Sequence, residues 1–375
     1  MSGPLEGLIV ADFSRVLAGP YASMLLGDLG ADVIKVERPG TGDDTRAWGP
    51  PWRDGVSTYF LGLNRNKRSV VLDLADPADR ELARTLAERA DVLIESFRPG
   101  LMASWELDGD TIRRVNPRLV SCSVTAFGSG EQARGMPGYD FLLQAMGGLM
   151  SVTGEPDGRP LKTGAAVVDL ICGLLATIGI QAALAEGGGR HVEVSLMDSA
   201  LASLLNQGAS WVSGGTVPGR RGNRHPSIVP YETYEAADRP FAVAVGNDRL
   251  FARLCEAVGL SGLATDERFA SNEARVANVD ALAAELEAVF RRESAEHWVE
   301  VLRAASVPVG LINQVDEAFA LASDLGLEPV DSSQGVPLVA PPLRLDGSRP
   351  PIRRAPPELD EHGEEIRTWL RAAAG

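Results

Sequence analysis

Cysteine and histidine are scarce in this chain, and their spacing argues against two common kinds of site. The three cysteines, Cys122, Cys172 and Cys255, are far apart and lie mostly in apolar runs. They form neither a disulfide framework nor a metal-ligand pattern, so we expect buried free thiols in a reducing compartment, the cytoplasm. The four histidines, at positions 191, 225, 297 and 362, also lack the spacing of a metal site. The sequence therefore predicts no bound metal.

Basic residues are too few for a protein that binds polyanions non-specifically. Lys and Arg number 36 against 51 Asp and Glu, which gives a net charge of −15. This charge disfavours nucleic acid and anionic membrane as partners, although it allows an anionic ligand where basic residues cluster locally. The first residues show no basic start followed by a long apolar stretch, so no secretion signal is predicted. No G-x-G-x-x-G follows the first apolar run, which argues against a dinucleotide-dependent oxidoreductase.

One carboxylate, Asp169, stands in an otherwise uncharged run at residues 164–184, GAAVVDLICGLLATIGIQAAL. At helical spacing, small residues share its face: Ala165, Ala166, Cys172, Gly173 and Ala176. A carboxylate is seldom buried without a partner, so this position needs an explanation. Either Asp169 is a nucleophile with space for a substrate, or it pairs with a distant arginine inside a closely packed helix. The run is long enough to span a membrane, but its glycines and missing aromatic flanks favour a buried core helix.

The first 130 residues alternate β-prone and helical segments, the pattern of parallel βαβ units and of an α/β fold with a doubly wound sheet. The predicted strands are 8–13, 32–37, 69–74, 91–96 and 119–125. The predicted helices are 20–29, with Pro20 at its first position, 76–89 and 108–114. After the Asp169 helix, the pattern predicts a strand at 190–195 and one apolar helix over 196–211.

Composition changes after residue 211. Residues 212–226 are rich in Gly, Pro and Arg, which indicates a boundary or a mobile loop. A hairpin over 231–245 and helices at 248–258, 278–290 and 295–304 predict a smaller α+β lobe. We therefore expect a large domain at 1–211, a small domain at 226–325, and a Pro-rich C-terminal segment at 326–375 that ends in a short helix over 361–373.

Arginines stand at the ends of several predicted strands. Arg15, Arg38 and Arg98 each follow a strand, so they would converge on the sheet edge where ligands of open parallel sheets bind. This arrangement suits a phosphate-bearing ligand, but arginines are also common in surface loops. His225 ends the Gly-rich loop 222–226, which is either a lid over a site or an exposed loop.

Several segments in order resemble the family III CoA-transferases, which include formyl-CoA and carnitine CoA-transferases and α-methylacyl-CoA racemases. The resemblance rests on LEGLIVAD (5–12), AGPYA (18–22), LGDLGADVIKVERPG (26–40), NRNKRS (64–69), ESFRPG (95–100), PGYD (137–140) and GND (246–248). It implies that Asp169 is the catalytic aspartate. It also implies an interlocked-ring homodimer in which a Rossmann-like large domain regains the C-terminal segment, beside a smaller α+β domain.

The resemblance also implies which residues contact coenzyme A: Leu17, Ala18, Arg38, Leu72, Asp73, Leu74, Ala75, Ser96, Phe97, Arg98, Tyr139 and Asp140. The lid that shields intermediates in the formyl enzyme corresponds to Gly222, Asn223, Arg224 and His225. Some relatives have basic residues where this chain has Ser104, Thr125 and Pro137, and Ser96 is often Asn. Arg65, Lys67 or Arg68 are candidates to replace those charges.

Tyr139 separates the two chemistries of the family. Racemases have a histidine there, as half of a two-base pair, whereas a tyrosine is a weak base at neutral pH. The sequence thus favours a CoA-transferase that moves CoA from an acyl-CoA, with succinyl-CoA as a candidate donor, to a mono- or dicarboxylic acid through an aspartyl anhydride and thioester. The alternatives are an acyl-CoA racemase and a non-catalytic protein that binds CoA esters. No tightly bound cofactor is expected.

Overall fold

The computed structural model describes residues 3–133 and 135–372. Its strands are β1 Ile9–Phe13, β2 Asp32–Glu37, β3 Trp52–Arg53, β4 Val56–Ser57, β5 Lys67–Val71, β6 Val92–Glu95, β7 Val120–Thr125, β8 His191–Ser195, β9 Tyr231–Glu235, β10 Pro240–Ala244, β11 Val309–Leu311, β12 Val330–Asp331 and β13 Leu338–Val339. Its helices are α1 Ala18–Asp28, α2 Thr58–Leu61, α3 Pro77–Arg89, α4 Leu101–Ser104, α5 Gly109–Arg113, α6 Asp140–Met146, α7 Val167–Ala185, α8 Leu196–Ser203, α9 Asn206–Val212, α10 Asp248–Ala257, α11 Asn272–Ala277, α12 Val279–Phe290, α13 Ala295–Ala304, α14 Val315–Asp324 and α15 Gly363–Arg371.

A six-stranded sheet, with the order β5-β2-β1-β6-β7-β8, organises the first part of the chain. All of its neighbouring strands are parallel, which confirms the predicted mixed α/β class. The chain winds from β1 outward to β2 and β5, then returns to place β6 on the other side of β1. Ligands of such sheets bind where the winding reverses, at the carboxyl ends of the strands. The ends of β1 and β6 therefore define the place to look for a site.

Contacts divide the chain into two compact units. The first comprises Met1–Leu149, Lys162–Thr216 and Glu328–Gly375, and the second comprises Met150–Leu161 and Val217–Leu327. The segment Met150–Leu161, predicted within the large domain, thus groups with the second unit. That unit contains the antiparallel sheet β11-β10-β9 and an aromatic core around Phe290.

The C-terminal helix α15 packs in the first unit against the edge strand β5. Asp360 accepts a hydrogen bond from the amide of Val71 at 2.7 Å and pairs with Arg367 at 2.9 Å. The amide of His362 also donates to the carbonyl of Ser69 at 3.1 Å. These bonds join the end of the chain to the outer strand of the sheet.

Helix α7 packs closely on α1 through the small-residue face that the sequence predicted. A Cβ added at Gly173 would lie 2.7 Å from the Ala18 carbonyl oxygen, so only glycine allows this approach. Ala165 and Ala166, assigned to that face, instead precede the helix. By length and hydropathy alone α7 could cross a bilayer, but a core helix of a soluble protein passes the same test.

Two details of the predicted helices are wrong. The apolar stretch after β8 is not one helix, because Leu205 has φ 41° and this left-handed residue separates α8 from α9. Helix α1 begins at Ala18, so Pro20 is its third residue rather than its first. Proline is still tolerated there, since the first-turn amides have no partner within the helix.

Candidate active site

The reversal point of the sheet contains a cavity of about 350 Å³. The turn after β1 and the loop after β6 form part of its wall. Of the residues expected to contact CoA, it brings together Leu17, Ala18, Ser96, Phe97, Arg98 and Tyr139, and Asp169 also faces it. Residues distant in sequence thus meet around the candidate nucleophile.

A second cavity of about 250 Å³ adjoins the first and shares Arg15 and Phe97 with it. It is lined by the other expected contacts, Arg38, Leu72, Asp73, Leu74 and Ala75, together with Trp105. Phe97 and Trp105 meet edge to face with their centroids 5.5 Å apart, and the Arg15 guanidinium lies 5.4 Å from the Phe97 ring. Aromatic faces next to arginines suit a base and its phosphates.

Asp169 lies in the first turn of α7 and is 8% exposed. Within the described part of the chain, its carboxylate has no hydrogen-bond or ion-pair partner, so the paired structural interpretation of this residue is wrong. Burial, with a smaller contribution from the negative charge of Asp140, raises the pKa of Asp169 to about 7. A buried carboxylate without a partner that faces a cavity is the arrangement expected of a reactive group.

The carboxylate of Asp140, which was expected to contact CoA, instead accepts hydrogen bonds from the N-terminus of α7 and from Gln144. Its Oδ1 accepts hydrogen bonds from the amides of Val168 at 2.9 Å and Asp169 at 3.3 Å. Its Oδ2 accepts one from Gln144 Nε2 at 2.6 Å. Because the first amides of a helix lack internal partners, Asp140 supplies the cap that no residue of α7 provides.

Tyr59 is coupled electrostatically to the carboxylates of this site, which the sequence did not reveal. It lies on the short helix α2, and its ring contacts Trp48 edge to face at 5.4 Å. Burial and the charges of Asp169 and Asp140 raise the pKa of Tyr59 to about 12, so its hydroxyl keeps its proton at neutral pH. Nothing in its local sequence indicates this, since the coupling to these carboxylates arises only in the fold.

Arg65, Lys67 and Arg68 do not replace the missing basic contacts, because they are already paired. Arg65 binds Asp28 at 2.6 Å and Lys67 binds Asp12 at 3.1 Å, all buried. Arg68 pairs with Asp32 and, at 3.0 Å, with Glu365. The cations of the NRNKRS motif are therefore engaged in ion pairs within the fold.

The expected lid residues lie in the second unit, beside a cavity of about 290 Å³. Arg224 is bound there to Glu232 at 2.8 Å and to Asp280 at 2.6 Å. Asn223 donates to Thr233 at 3.1 Å, and His225 Nδ1 accepts from the Ser227 amide at 3.1 Å. Gly222 has φ 61°, which favours glycine. These contacts give the loop a defined conformation, and its action as a lid stays a prediction.

All three cysteines are buried and free. Among residues 3–133 and 135–372, no three His, Cys, Asp or Glu side chains are grouped so that they could hold a metal ion.

Known proteins share the sequence pattern and the fold of this chain. A sequence model described as CoA-transferase family III matches residues 5–363. The chain is 41% identical to an acetyl-CoA:oxalate CoA-transferase of Acetobacter aceti, over 99% of this chain and 96% of that protein. It is 40% identical to a succinate–glutarate CoA-transferase of Agrobacterium fabrum, over 97% of this chain and 94% of that protein. A solved CAIB/BAIF family protein from Brucella suis superposes with a TM-score of 0.88 at 42% identity, over 99% of this chain and 100% of that one.

Proposed function

This chain belongs to CoA-transferase family III and is a CoA-transferase, and from that premise we propose that Asp169 is its nucleophile. The observation that carries the proposal is a buried carboxylate, without a partner in the described chain, that faces the cavity at the reversal point of the sheet. A carboxylate divides the exchange of CoA between two acids into easier steps.

In the first half of the reaction, an Asp169 oxygen attacks the thioester carbonyl carbon of the donor. The C–S bond breaks, CoA leaves as a thiolate, and the donor acyl group remains on Asp169 as a mixed anhydride. The thiolate then attacks the aspartyl carbonyl carbon and expels the donor acid as a carboxylate. Asp169 is now a thioester of CoA.

The second half repeats these steps with the acceptor acid. Its carboxylate attacks the aspartyl thioester, releases the thiolate and forms a second anhydride. The thiolate then attacks the acyl carbon of the acceptor, which gives the new acyl-CoA and regenerates Asp169. No proton is gained or lost overall.

The surroundings of Asp169 suit a group that attacks the donor thioester as a nucleophile and then carries the acyl group and CoA. Because its pKa is about 7, a large fraction of the group is ionised at neutral pH and can attack. A carboxylate that is not stabilised by hydrogen bonds is also more nucleophilic than a solvated one. The Tyr59 hydroxyl is a candidate donor to the oxyanions that form, since it keeps its proton.

Mass spectrometry of quenched turnover mixtures tests this mechanism. We expect an acyl or CoA adduct on the peptide that contains Asp169, and none on an Asp169→Ala variant, which should be inactive but folded. Transfer by Asp169→Ala, or an unmodified Asp169 peptide during turnover, would contradict the mechanism.

We propose that CoA is a substrate and not a tightly bound cofactor, with its nucleotide in the cavity beside Trp105 and its thioester beside Asp169. Arg38 and Arg98 are at the two cavities and are exposed, which suits phosphate binding. Arg38 also pairs with Asp44, but this pair is partly exposed, whereas the pairs of Arg65 and Lys67 are buried. Arg38→Ala and Arg98→Ala should raise KM for the donor with a smaller change in kcat. An unchanged KM for both variants would contradict this placement.

We propose that the acceptor is a dicarboxylic acid and that succinyl-CoA is a donor. The support is that relatives named for oxalate and glutarate match along nearly the whole chain. Arg221, which lines the cavity in the second unit, has no ion-pair partner in the described residues, whereas Arg224 is already neutralised. A panel of mono- and dicarboxylic acids, assayed with succinyl-CoA and acetyl-CoA, would identify the pair, and preference for a monocarboxylic acid would contradict the proposal.

The racemase alternative has a separate signature. It requires a second base to remove an α-proton, and the residue at the matching position is Tyr139, which is 58% exposed. Incubation of an α-methylacyl-CoA in D₂O should give no α-deuteration with this enzyme. Deuteration without an acceptor acid would support racemisation.

We propose that the protein is a homodimer in the cytoplasm. The outer side of α7 leaves Leu174, Leu175 and Ile178 exposed, the last at 63%, and a second copy of the chain is the occupant that the family resemblance implies. Buried free thiols support a reducing compartment. Light scattering should give twice the mass of the chain, and Ile178→Glu should reduce it, whereas a monomeric wild type would contradict the proposal.

A further inference from the structure

The β1–α1 turn, which we define as residues 14–17, has an unusual backbone. Val16 has φ 72°, in the left-handed region that L-amino acids with a branched Cβ rarely adopt. This residue lines the cavity that contains Asp169. Such a conformation persists only where the surrounding structure imposes it.

Three side chains from outside the turn hold its backbone. Lys35 Nζ donates to the Ser14 carbonyl oxygen at 3.0 Å, and the Arg15 amide donates to Ser96 Oγ at 2.9 Å. The Val16 amide is shared by the two carboxylate oxygens of Asp43, at 3.3 and 3.4 Å. Three consecutive residues are thus fixed by β2, by the loop after β6 and by the loop after β2.

Asp43 is itself fixed by the interior of the protein. It pairs with Lys35 Nζ at 2.8 Å, and the two side chains are 0% and 1% exposed. The amide and hydroxyl of Thr45 donate to Asp43 Oδ1 at 2.9 and 2.7 Å. Although burial alone would raise it, the Lys35 charge and these hydrogen bonds lower the pKa of Asp43 to about 2, so it stays ionised.

A buried ion pair contributes little net stability compared with an apolar pair of similar size, so stability alone does not account for this pair. Its role here is geometric. The pair joins β2 to Val16, a strained residue in the wall of the reactive cavity, and Leu17 and Ala18 follow that residue directly.

We propose that Asp43, anchored by Lys35, is a positioning residue that keeps Val16 in its left-handed conformation and thereby sets the wall against which the thioester lies. This inference rests on the proposed role of Asp169. Asp43 also lines the second cavity, but it acts on Val16 through the turn and not on the reacting atoms.

The test compares Asp43→Asn with a double variant that also has Val16→Gly. Loss of the anchor should let Val16 relax and lower kcat about 10- to 100-fold, with a smaller change in KM, because small misplacements of reacting groups are costly. Glycine adopts positive φ freely, so the double variant should regain about 10-fold in kcat over Asp43→Asn. The Val16→Gly single variant serves as the reference.

Asp28→Asn is the matched control. Asp28 forms an equally buried pair with Arg65, at 2.6 Å, and it makes no hydrogen bond to the β1–α1 turn. It should lose thermal stability as Asp43→Asn does, keep its kcat, and gain nothing from Val16→Gly.

Thr45→Val is a milder second variant in case Asp43→Asn does not fold, since it removes only one hydrogen bond to Asp43. Its smaller loss in kcat should also be restored by Val16→Gly. A kcat of Asp43→Asn equal to that of Asp28→Asn, or no rescue by Val16→Gly in either background, would refute the positioning role. The absence of an adduct on wild-type Asp169 would instead refute the mechanism on which it rests.

Discussion

Replacing Asp169 with asparagine should stabilise the protein increasingly as the pH rises, while it abolishes activity. The side chain is 8% exposed and its carboxylate has no partner in the described chain, so asparagine leaves the packing nearly unchanged. The substitution removes only the ability to ionise. The expected gain in the free energy of unfolding therefore measures the free-energy cost of keeping a charge in this cavity.

The size of the effect follows from the pKa of Asp169, which rises from 3.8 to about 7 on folding. Well below pH 3.8 the carboxyl is protonated in both states, and its ionisation costs nothing. As the pH rises further, ionisation stabilises the unfolded chain alone, so stability falls until the folded group ionises near pH 7. The full cost is about 4 kcal/mol, at about 1.4 kcal/mol for each tenfold change in the ionisation constant.

The assay is denaturant unfolding of wild type and Asp169→Asn at equal protein concentration. The variant should be more stable by about 2 kcal/mol at about pH 5.5 and by about 4 kcal/mol at about pH 8.5. Asp157→Asn, in an exposed loop, controls for the change in net charge and should show no such dependence. A stability difference that stays constant with pH, or a variant less stable than wild type at pH 8.5, would refute the reasoning.

The remaining predictions concern the neighbours of that carboxylate. Activity should rise with pH through about 7 as Asp169 ionises, and Asp140→Asn should move this rise to lower pH because it removes a negative charge that helps raise the pKa of Asp169. A pH profile of kcat that does not move would contradict the electrostatic coupling between Asp140 and Asp169. Tyr59→Phe should lower kcat about 10-fold or more and leave KM for the donor nearly constant, since it removes the protonated hydroxyl that we propose as an oxyanion donor. An unchanged kcat would show that this hydroxyl has no part in the reaction. Gly173→Ala should destabilise the fold by about 1–3 kcal/mol in denaturant unfolding, because the added Cβ would lie 2.7 Å from the Ala18 carbonyl oxygen; equal stability would mean that α1 and α7 separate easily.

The sheet was predictable because most of its strands contain short apolar, β-prone segments, and their alternation with helices indicates the parallel arrangement. Asp169 was noticed for a related reason, since a single charge in an apolar helix conflicts with its surroundings. Local patterns of this kind are readable from one segment at a time.

Features that depend on two distant segments were missed or misjudged. The cap that Asp140 provides for α7, and the effect of the Asp169 charge on Tyr59, exist only after the chain has folded. Arg65 and Lys67 resembled ligand contacts because a sequence does not show that Asp28 and Asp12 lie opposite them. The strained backbone of Val16 also cannot be predicted, since nothing in the amino-acid sequence around this valine indicates a positive φ.

The ion-paired cations of the NRNKRS motif limit where the substrate specificity of this protein can be redesigned. A mutant library directed at Arg65 and Lys67 in search of new donors would yield mostly insoluble clones, because each change leaves Asp28 or Asp12 unpaired in the interior. Substitutions are better directed at Arg98 and Tyr139, whose side chains are exposed. Variants at these positions should fold, so a selection would compare their substrate recognition.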